Sequence, residues 1–201
     1  MAPYPSLHTP RLTLKPLQSD DADAIQHLFP RWEVVRYLSN KVPWPYPEDG
    51  ARDFVDNIAL PSVAAGKLLI WSLRLTSAPE TLMGVINLRL PDTDSAGEWL
   101  EVQENRGFWL APEYQGNGYM TEAAEAVTDY WFNVLEQPLL RTTKVADNTG
   151  SRGVSKRTGM RLAGHTLSDF VGGNQCPTDI WEITRAQWRD HKASGGYADK
   201  Q

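Results

Sequence analysis

Several features are scarce in this chain of 201 residues, and each scarcity excludes a class of protein. The one cysteine, Cys176, excludes an internal disulfide and a cysteine-based metal knuckle. No apolar run is long enough to span a bilayer, and the N-terminal residues lack the apolar core of a signal peptide. The formal net charge is −5, which argues against a nucleic-acid partner held by general electrostatics. Together these scarcities predict a cytoplasmic protein of a reducing compartment, without a membrane partner.

The chain does contain enough apolar sequence for one hydrophobic core. Hydrophobic residues make up 41% of it, and neither an internal repeat nor a linker rich in Pro, Gly or Ser divides it. We therefore expect a single domain over residues 1–192. The tail, residues 193–201, is small and polar and is expected to be disordered.

The order of strand and helix patterns predicts an α+β fold. A run of antiparallel strands, identified by alternating apolar residues, comes first. Helical spacing, an apolar strand, a second short helix and a hairpin follow it. The strands are predicted at 11–17, 68–75, 82–90, 98–110, 139–146, 160–171 and 179–184, and the two helices after the fourth strand at 121–136 and 148–159.

A glycine-rich segment, "QGNGYM" (115–120), lies between a predicted strand and a predicted helix. A helix N-terminus directs several backbone N–H groups at one point and adds a partial positive charge. Gly116 and Gly118 lack the Cβ atoms that would hold a phosphate group away. The segment is neither a Walker loop nor a dinucleotide fingerprint. From these residues alone, a diphosphate cradle and a flexible connector are equally good interpretations.

The strand–glycine–helix unit resembles the acetyl-CoA loop of the GNAT N-acetyltransferase superfamily, whose pattern is Gln/Arg-x-x-Gly-x-Gly/Ala. Gln115, Gly118 and Met120 stand at those positions, and Met120 departs from the usual small residue. A closer likeness is to the RimJ/RimL group of ribosomal-protein N-terminal acetyltransferases. "LHTPRLTLKPL", "GFWLAPEYQGNGYMTEA", "NTGSRGVSKRTGMRL" and "DIWEITRAQW" resemble that group's opening strand, central block, Asn-led helix and closing strand, so the resemblance covers nearly the whole chain.

The resemblance implies the GNAT fold, a mixed, mostly antiparallel sheet of about seven strands with helices on both faces. The sheet would be splayed between the fourth and fifth strands, and the pantetheine arm of acetyl-CoA would lie in the splay. A basic segment, Arg141–Arg161, suits the phosphates of that cosubstrate, although each basic residue alone also fits a solvated helix face. The residues expected to bind acetyl-CoA are Phe108, Trp109, Leu110, Gln115, Gly116, Asn117, Gly118, Tyr119, Met120, Asn148, Ser151 and Arg152.

The identity of the catalytic base stays open in the sequence. The RimJ/RimL group tends to carry a glutamate two residues before the strand glycine, where this chain has Asn105 with Glu104 beside it. By strict alternation Glu101 and Asn105 share one face, and Glu104 points to the other unless a bulge re-aims it. Glu104 and Glu101 are therefore competing candidates. A third possibility is that a chain of water molecules accepts the proton from an α-amine. The pKa of an α-amine is about 8, against about 10.4 for lysine, so a weaker base would suffice.

The proton donor to the leaving thiolate is assigned by the same resemblance. A serine three residues after the helix asparagine is the usual candidate in the RimJ/RimL group, and here that residue is Ser151. Asn148 would contact the pantetheine arm. Both residues fit equally well as parts of a helix cap. The four histidines show no ligand spacing, so no metal is expected.

Aromatic residues of the N-terminal part are the candidates for the acceptor site. In the resembled fold this region forms one wall of that site, with Phe170 opposite, whereas dense aromatics also fit a core. Nearby acidic side chains would favour a cationic acceptor. The residues expected to bind substrate are Trp32, Tyr37, Trp44, Tyr46 and Phe170.

The sequence therefore predicts an acetyl-CoA-dependent N-acetyltransferase that acts on a primary amine by direct attack in a ternary complex. A protein N-terminal α-amine is the expected acceptor, and a small amine such as an antibiotic, polyamine or amino acid is the alternative. A non-catalytic acyl-CoA sensor is an alternative of another class, motivated by Asn105. Since many members of the superfamily pair up, a homodimer is one candidate assembly.

Overall fold

Five antiparallel strands form the first sheet of the computed structural model, which describes residues 4–91 and 104–196. The leucines of the second strand, Leu12 and Leu14, are fully buried on one face, as the alternating pattern predicts. The fifth strand follows the undescribed residues 92–103, so most of the strand predicted over 98–110 lies outside the described ranges. In sheet order the strands are β1 (Leu7–His8), β2 (Leu12–Pro16), β3 (Leu68–Leu75), β4 (Ala78–Arg89) and β5 (Arg106–Leu110).

Three further strands form a second sheet in the order β6, β8, β7. They are β6 (Leu139–Val145), β7 (Arg161–Phe170) and β8 (Gly173–Thr184). The strand predicted over 179–184 is confirmed, but the likeness of "DIWEITRAQW" to a closing strand extends too far, since the strand ends at Thr184. A capping box between Thr184 and Gln187 begins a helix there, because the threonine side chain accepts from the Gln187 amide and the Gln187 side chain accepts in return.

Helices cover both faces of the two sheets. One face carries α5 (Tyr119–Asn133), α6 (Thr149–Arg157) and α7 (Arg185–Ala193), which enclose a core that includes Trp131, Trp181 and Trp188. The other face carries α1 (Ala22–Leu28), α2 (Trp32–Val35), α3 (Gly50–Asp53) and α4 (Leu60–Ala64), with a π-helical segment, Phe54–Ala59, between the last two. The prediction of a mostly antiparallel arrangement with helices on both faces is confirmed.

The two sheets meet where β5 and β6 run side by side in the same direction. The Asn105 amide donates to the Arg141 carbonyl (2.8 Å), and the Arg141 amide donates to Asn105 Oδ1 (2.9 Å). Thr142 Oγ1 then donates to the Arg106 carbonyl (3.0 Å). Beyond these residues the two strands share no ladder within the described ranges. The splay therefore opens toward their C-terminal ends. The splay was predicted between the fourth and fifth strands. It lies between β5 and β6 because the short strand β1, which was not predicted, shifts the numbering by one.

The C-terminal part continues as hydrogen-bonded turns through Gly196, and residues 197–201 lie outside the described ranges. A single domain over 1–192 with a disordered tail stays a prediction. In residues 4–91 and 104–196, no helix has the length and apolar character needed to cross a membrane.

Candidate functional site

A cleft of about 990 Å³ occupies the space where β5 and β6 separate. That volume lies at the upper end of the range for small-molecule sites, which is about 300–1,000 Å³. The glycine loop and the first turns of α5 and α6 line one end. Residues 33–39 and the end of β7 line the other. The edge of β5 that faces away from β4 borders this space, and its main-chain groups beyond Arg106 have no strand partner among the described residues.

The glycine loop has a backbone that only glycine adopts easily. Gly116 and Gly118 both have a φ of +79°, and a Cβ at Gly116 would meet no atom within 4 Å. Side chains hold the loop closed from within, since Gln115 Nε2 donates to the Leu110 carbonyl (2.8 Å) and Asn117 Nδ2 donates to the Gln115 carbonyl (3.0 Å). The loop is therefore a fixed turn, not a flexible connector.

The N-terminus of α5 opens into the cleft without a cap. Gly118 occupies the capping position, and no side chain of the described residues caps the helix there. The first intrahelical bond runs from the Glu122 amide to the Gly118 carbonyl (3.1 Å), so the amides of Tyr119, Met120 and Thr121 have no partner inside the helix. Since α5 runs for 15 residues, its dipole adds positive potential at these amides. The arrangement is a binding site for an anion.

The residues expected to bind acetyl-CoA are mostly brought together. The cleft is lined by Phe108, Trp109, Leu110, Gln115, Gly116, Gly118, Tyr119, Met120, Asn148 and Ser151. Most of the Met120 side chain is buried in the core, so it does not fill the cleft. Asn117 is not in the lining, because its side chain turns back onto the loop.

The start of α6 supplies the second polar edge of the cleft. Asn148 Oδ1 accepts from the Ser151 amide (3.0 Å), so the predicted cap is present at the same residues that line the cleft. Arg152 points away from the cleft. Its Nη1 donates to the Ala146 carbonyl (2.9 Å), and its Nε lies 2.7 Å from the buried carboxylate of Asp179.

Arg157 lines the cleft where Arg152 does not, and sequence reasoning missed it. Its Nε donates to Thr121 Oγ1 (3.1 Å), which ties α6 to the first turn of α5. Ser151, Val154 and Arg157 all line the cleft. Their spacing of three residues puts them on one face of a helix, and this spacing was the signal that favoured Arg157 over Arg152.

Of the three candidate polar residues around β5, the structure places Glu104 in the cleft. Its Oε1 accepts from Thr142 Oγ1 (2.9 Å) and from Lys144 Nζ (3.2 Å), while 40% of the side chain stays exposed. Alternation does not apply to Glu104, because β5 begins only at Arg106. Asn105 is buried and bonded to Arg141 between the strands, outside the cleft lining. Glu101 lies outside the described residues.

Two buried cations lie beside Glu104. The Lys144 side chain is only 8% exposed, and its Nζ lies 4.9 Å from the centre of the Phe108 ring. Burial lowers the pKa of Lys144, Glu104 opposes that change, and Arg106 adds to the lowering. Burial also lowers the pKa of Arg106 to about 10. Its Nη1 donates to Thr128 Oγ1 (2.7 Å), behind β5. Of the two cations, only Lys144 lines the cleft, where it is paired with Glu104.

The end of the cleft opposite the glycine loop contains only part of the predicted aromatic wall. Tyr37 and Phe170 line it together with the acidic residues Glu33 and Asp169. Three predicted residues lie outside the lining. Trp32 and Trp44 pack against each other in a tilted contact with ring centres 5.6 Å apart and are 44% and 43% exposed, and Tyr46 packs on Phe29 at the edge of the core.

This combination of a glycine loop, an uncapped helix and two separated strands matches a known family. A family model described as an acetyltransferase (GNAT) domain matches residues 11–161 of the chain. The chain belongs to the GNAT acetyltransferase family. In the described ranges of this GNAT protein, no group of three or more His, Cys, Asp or Glu side chains is arranged to hold a metal ion.

Individual relatives of this GNAT protein are distant. YdaF of Bacillus subtilis (strain 168), named as a candidate ribosomal N-acetyltransferase, is 26% identical over 113 residues, which is 56% of this chain and 58% of YdaF. The match thus spans little more than half of that relative. The fold resembles RimL, the ribosomal L7/L12 α-N-protein acetyltransferase, in its complex with coenzyme A. The TM-score is 0.73 at 15% identity, with 90% of this chain and 98% of RimL covered.

A second solved structure with this fold is MccE, the microcin C7 self-immunity acetyltransferase, in complex with acetyl-CoA and AMP. Its TM-score is 0.71 at 16% identity, with 88% of this chain and 93% of MccE covered. At these identities both structures establish the GNAT fold and nothing about the acceptor.

Proposed function

We propose that this GNAT protein is an acetyl-CoA-dependent N-acetyltransferase for primary amines. The observation that carries the proposal is the uncapped N-terminus of α5, which follows a fixed glycine turn at one end of a cleft between two separated strands. A diphosphate suits the free amides of Tyr119–Thr121, and the Arg157 guanidinium beside Thr121 adds a positive charge.

The rest of the cosubstrate would extend along β5. The main-chain groups of Phe108–Leu110 on the side away from β4 have no strand partner among the described residues, and an extended amide-containing arm can pair with such an edge. Asn148 and Ser151 line the facing side. In this arrangement the diphosphate lies at the glycine loop, and the thioester lies deeper in the cleft, toward Glu104 and Ser151.

The reaction is a direct attack by a neutral amine on the thioester carbon. The new C–N bond forms, the C–S bond breaks, and coenzyme A leaves as a thiol after it receives a proton. Glu104, held by Thr142 and Lys144, would accept the proton that the amine loses, directly or through water. The Ser151 hydroxyl would donate to the leaving sulfur. Glu101 and a water chain stay as alternative routes for the first proton.

A protein N-terminal α-amine is the acceptor that we favour. Its pKa of about 8 leaves a substantial neutral fraction near pH 7, so a moderate base suffices. The carboxylates of Glu33 and Asp169 at the acceptor end suit an approaching cation. The names of YdaF and RimL support this choice. MccE is named as a microcin C7 self-immunity acetyltransferase, so a small amine is the second candidate.

The proposal is tested by the release of coenzyme A thiol from acetyl-CoA in the presence of a panel of amines. The panel pairs each peptide that has a free N-terminus with the same peptide blocked there, and adds polyamines, amino acids and amino-sugar antibiotics. We expect release with free N-termini and none with the blocked partners. Release with small amines alone would transfer the assignment to the second candidate. Tight binding of acetyl-CoA without release for any amine would overturn the enzyme and leave a sensor.

A further inference from the structure

Arg11 connects the N-terminal strand to the glycine loop. It directly precedes β2, and its Nη1 donates to the main-chain carbonyl of Asn117 (3.1 Å), between the two glycines of left-handed φ. Its guanidinium also lies over the ring of Tyr119, 4.9 Å from the ring centre, at the first residue of α5. One side chain thus contacts both the loop and the helix that the loop begins.

The same guanidinium is held from the other side by Glu122. Arg11 Nε donates to Glu122 Oε2 (2.6 Å), and the Arg11 amide donates to Glu122 Oε1 (2.9 Å). Thr9 Oγ1 donates to the same oxygen (2.6 Å). Glu122 lies in the first turn of α5, and its side chain is 13% exposed. These bonds fix Arg11 against α5, so its contact with the loop has little freedom.

The bond to the Asn117 carbonyl orients the next N–H group. In a trans peptide the carbonyl and the N–H point in opposite directions. With the carbonyl directed at Arg11, the Gly118 N–H points in the opposite direction within the peptide plane, away from Arg11, and Gly118 itself lines the cleft. Because Gly118 has no Cβ, its side chain does not restrict rotation of this peptide, and the bond from Arg11 adds a restraint on its orientation.

Charge gives Arg11 a second effect at the same place. A carboxylate in the first turn stabilises a helix, but it repels an anion that binds at the same N-terminus. Glu122 is such a carboxylate, and the Arg11 guanidinium neutralises it at 2.6 Å. The diphosphate end of the cleft therefore keeps the positive potential of the helix.

We propose that Arg11 is a positioning residue for coenzyme A, acting through the glycine loop by fixing the Asn117–Gly118 peptide and by neutralising Glu122. The inference rests on the proposed function only for the location of the diphosphate. It concerns cosubstrate affinity and makes no claim about the acceptor or the chemical step.

The test compares coenzyme A binding by calorimetry for the wild type and for Arg11→Met, Arg11→Lys and Arg52→Met. We expect Kd to rise about tenfold in Arg11→Met, because the charge-assisted hydrogen bond to the Asn117 carbonyl is lost. The Kd of Arg11→Lys should lie between those of Arg11→Met and the wild type. An ammonium keeps the charge but lacks the planar donor pair that contacts Glu122 and Asn117 together. Arg52 is the matched control. It is 44% exposed against 36% for Arg11, and it bonds Asp23 and the Ser19 carbonyl away from the cleft.

Hydrogen exchange with coenzyme A bound distinguishes positioning from general loss of structure. In Arg11→Met we expect the protection of amides 116–121 to fall, and the protection of 148–154 at the start of α6 to persist. Equal loss in both segments would overturn the inference, as would an unchanged Kd. Adding Glu122→Gln to Arg11→Met should restore only part of the affinity. Full restoration would reduce the role of Arg11 to charge neutralisation and overturn its action on the loop peptide.

Gly118→Val separates a failure of this inference from a failure of the site. A β-branched residue strains a φ of +79°, so this variant should lose most coenzyme A affinity. Gly66→Val, at a φ of +73° in the turn before β3, is its control. If Gly118→Val binds normally, the location of the diphosphate is wrong and the Arg11 inference falls with it. If Gly118→Val binds poorly and Arg11→Met binds normally, only the Arg11 inference is wrong.

Discussion

Gly172 and Arg36 approach each other so closely that no side chain fits between them. The Gly172 amide donates to the Arg36 carbonyl (3.0 Å), and a Cβ at position 172 would lie 2.6 Å from that oxygen. The Val171 amide donates to the Leu38 carbonyl (2.9 Å) in the same contact. The tip of the β7–β8 hairpin is thereby joined to the segment after α2, and the two together close the acceptor end of the cleft.

Gly172→Ala should therefore weaken amine binding and leave coenzyme A binding intact. The added methyl group must push two backbones apart, at a cost of about 1–3 kcal/mol in folding stability. We expect KM for the amine to rise several-fold, with Kd for coenzyme A unchanged. Gly164→Ala, on β7 of the same hairpin, is the control, since its Cβ would meet Ile180 at an ordinary 3.8 Å. An equal effect of both variants would refute the special role of the Gly172 contact.

Glu104→Gln tests the assignment of the base. The amide keeps the shape of the side chain and can still accept from Thr142 and Lys144, so the change removes the ability to take a proton together with the charge that faces Lys144. We expect kcat to fall about 100-fold, the lower range for loss of a general base, with coenzyme A affinity unchanged. Glu80→Gln, at the exposed end of β4, serves as the control. Full turnover by Glu104→Gln would return the assignment to Glu101 or to water.

Ser151→Ala tests the proton donor without removing the cap of α6. The donor in the cap is the main-chain amide of Ser151, which alanine keeps. We expect kcat to fall about tenfold and the free energy of unfolding to change by less than about 1 kcal/mol. Ser155→Ala is the matched control, because its Oγ is buried in the same helix with no hydrogen-bond partner among the described residues. Turnover that is equal in the two variants would remove Ser151 from the mechanism.

Tyr46→Phe tests the alkaline limit of stability. Burial, and then the charge of Asp53, raises the pKa of Tyr46 to about 12 from its ordinary value of 10.0. A raised pKa in the folded state gives stability that is complete below pH 10, where tyrosine is neutral in both states. That stability is lost between pH 10 and 12, because only the unfolded chain ionises there. The melting temperature of Tyr46→Phe should fall less than that of the wild type from pH 9 to pH 11. An identical fall would contradict the raised pKa.

Local patterns predicted the parts of this protein that depend on neighbouring residues. The glycine turn, the start of α5 and the Asn148 cap each lie within a few residues of sequence, and the structure has all three. The capping box that begins α7 was equally legible as Thr184-x-x-Gln187, and was missed because the resemblance to a closing strand was extended too far.

The parts that could not be predicted depend on residues far apart in the chain. Glu104 enters the cleft because Thr142 and Lys144 hold it from another strand, across 38 and 40 residues of sequence. Trp32 lies outside the cleft and packs against Trp44. Which side of a strand or loop faces a ligand is decided by such contacts, and no periodic pattern records them.

The bonds between Asn105 and Arg141 have a geometric consequence for ligand entry. They fasten the two sheets together at the narrow end of the splay, so any small rotation of one sheet against the other turns about this pivot. Displacement grows with distance from the pivot, so it would be larger at the glycine loop than beside Glu104. A rotation that widens the mouth would therefore disturb the proposed proton acceptor least.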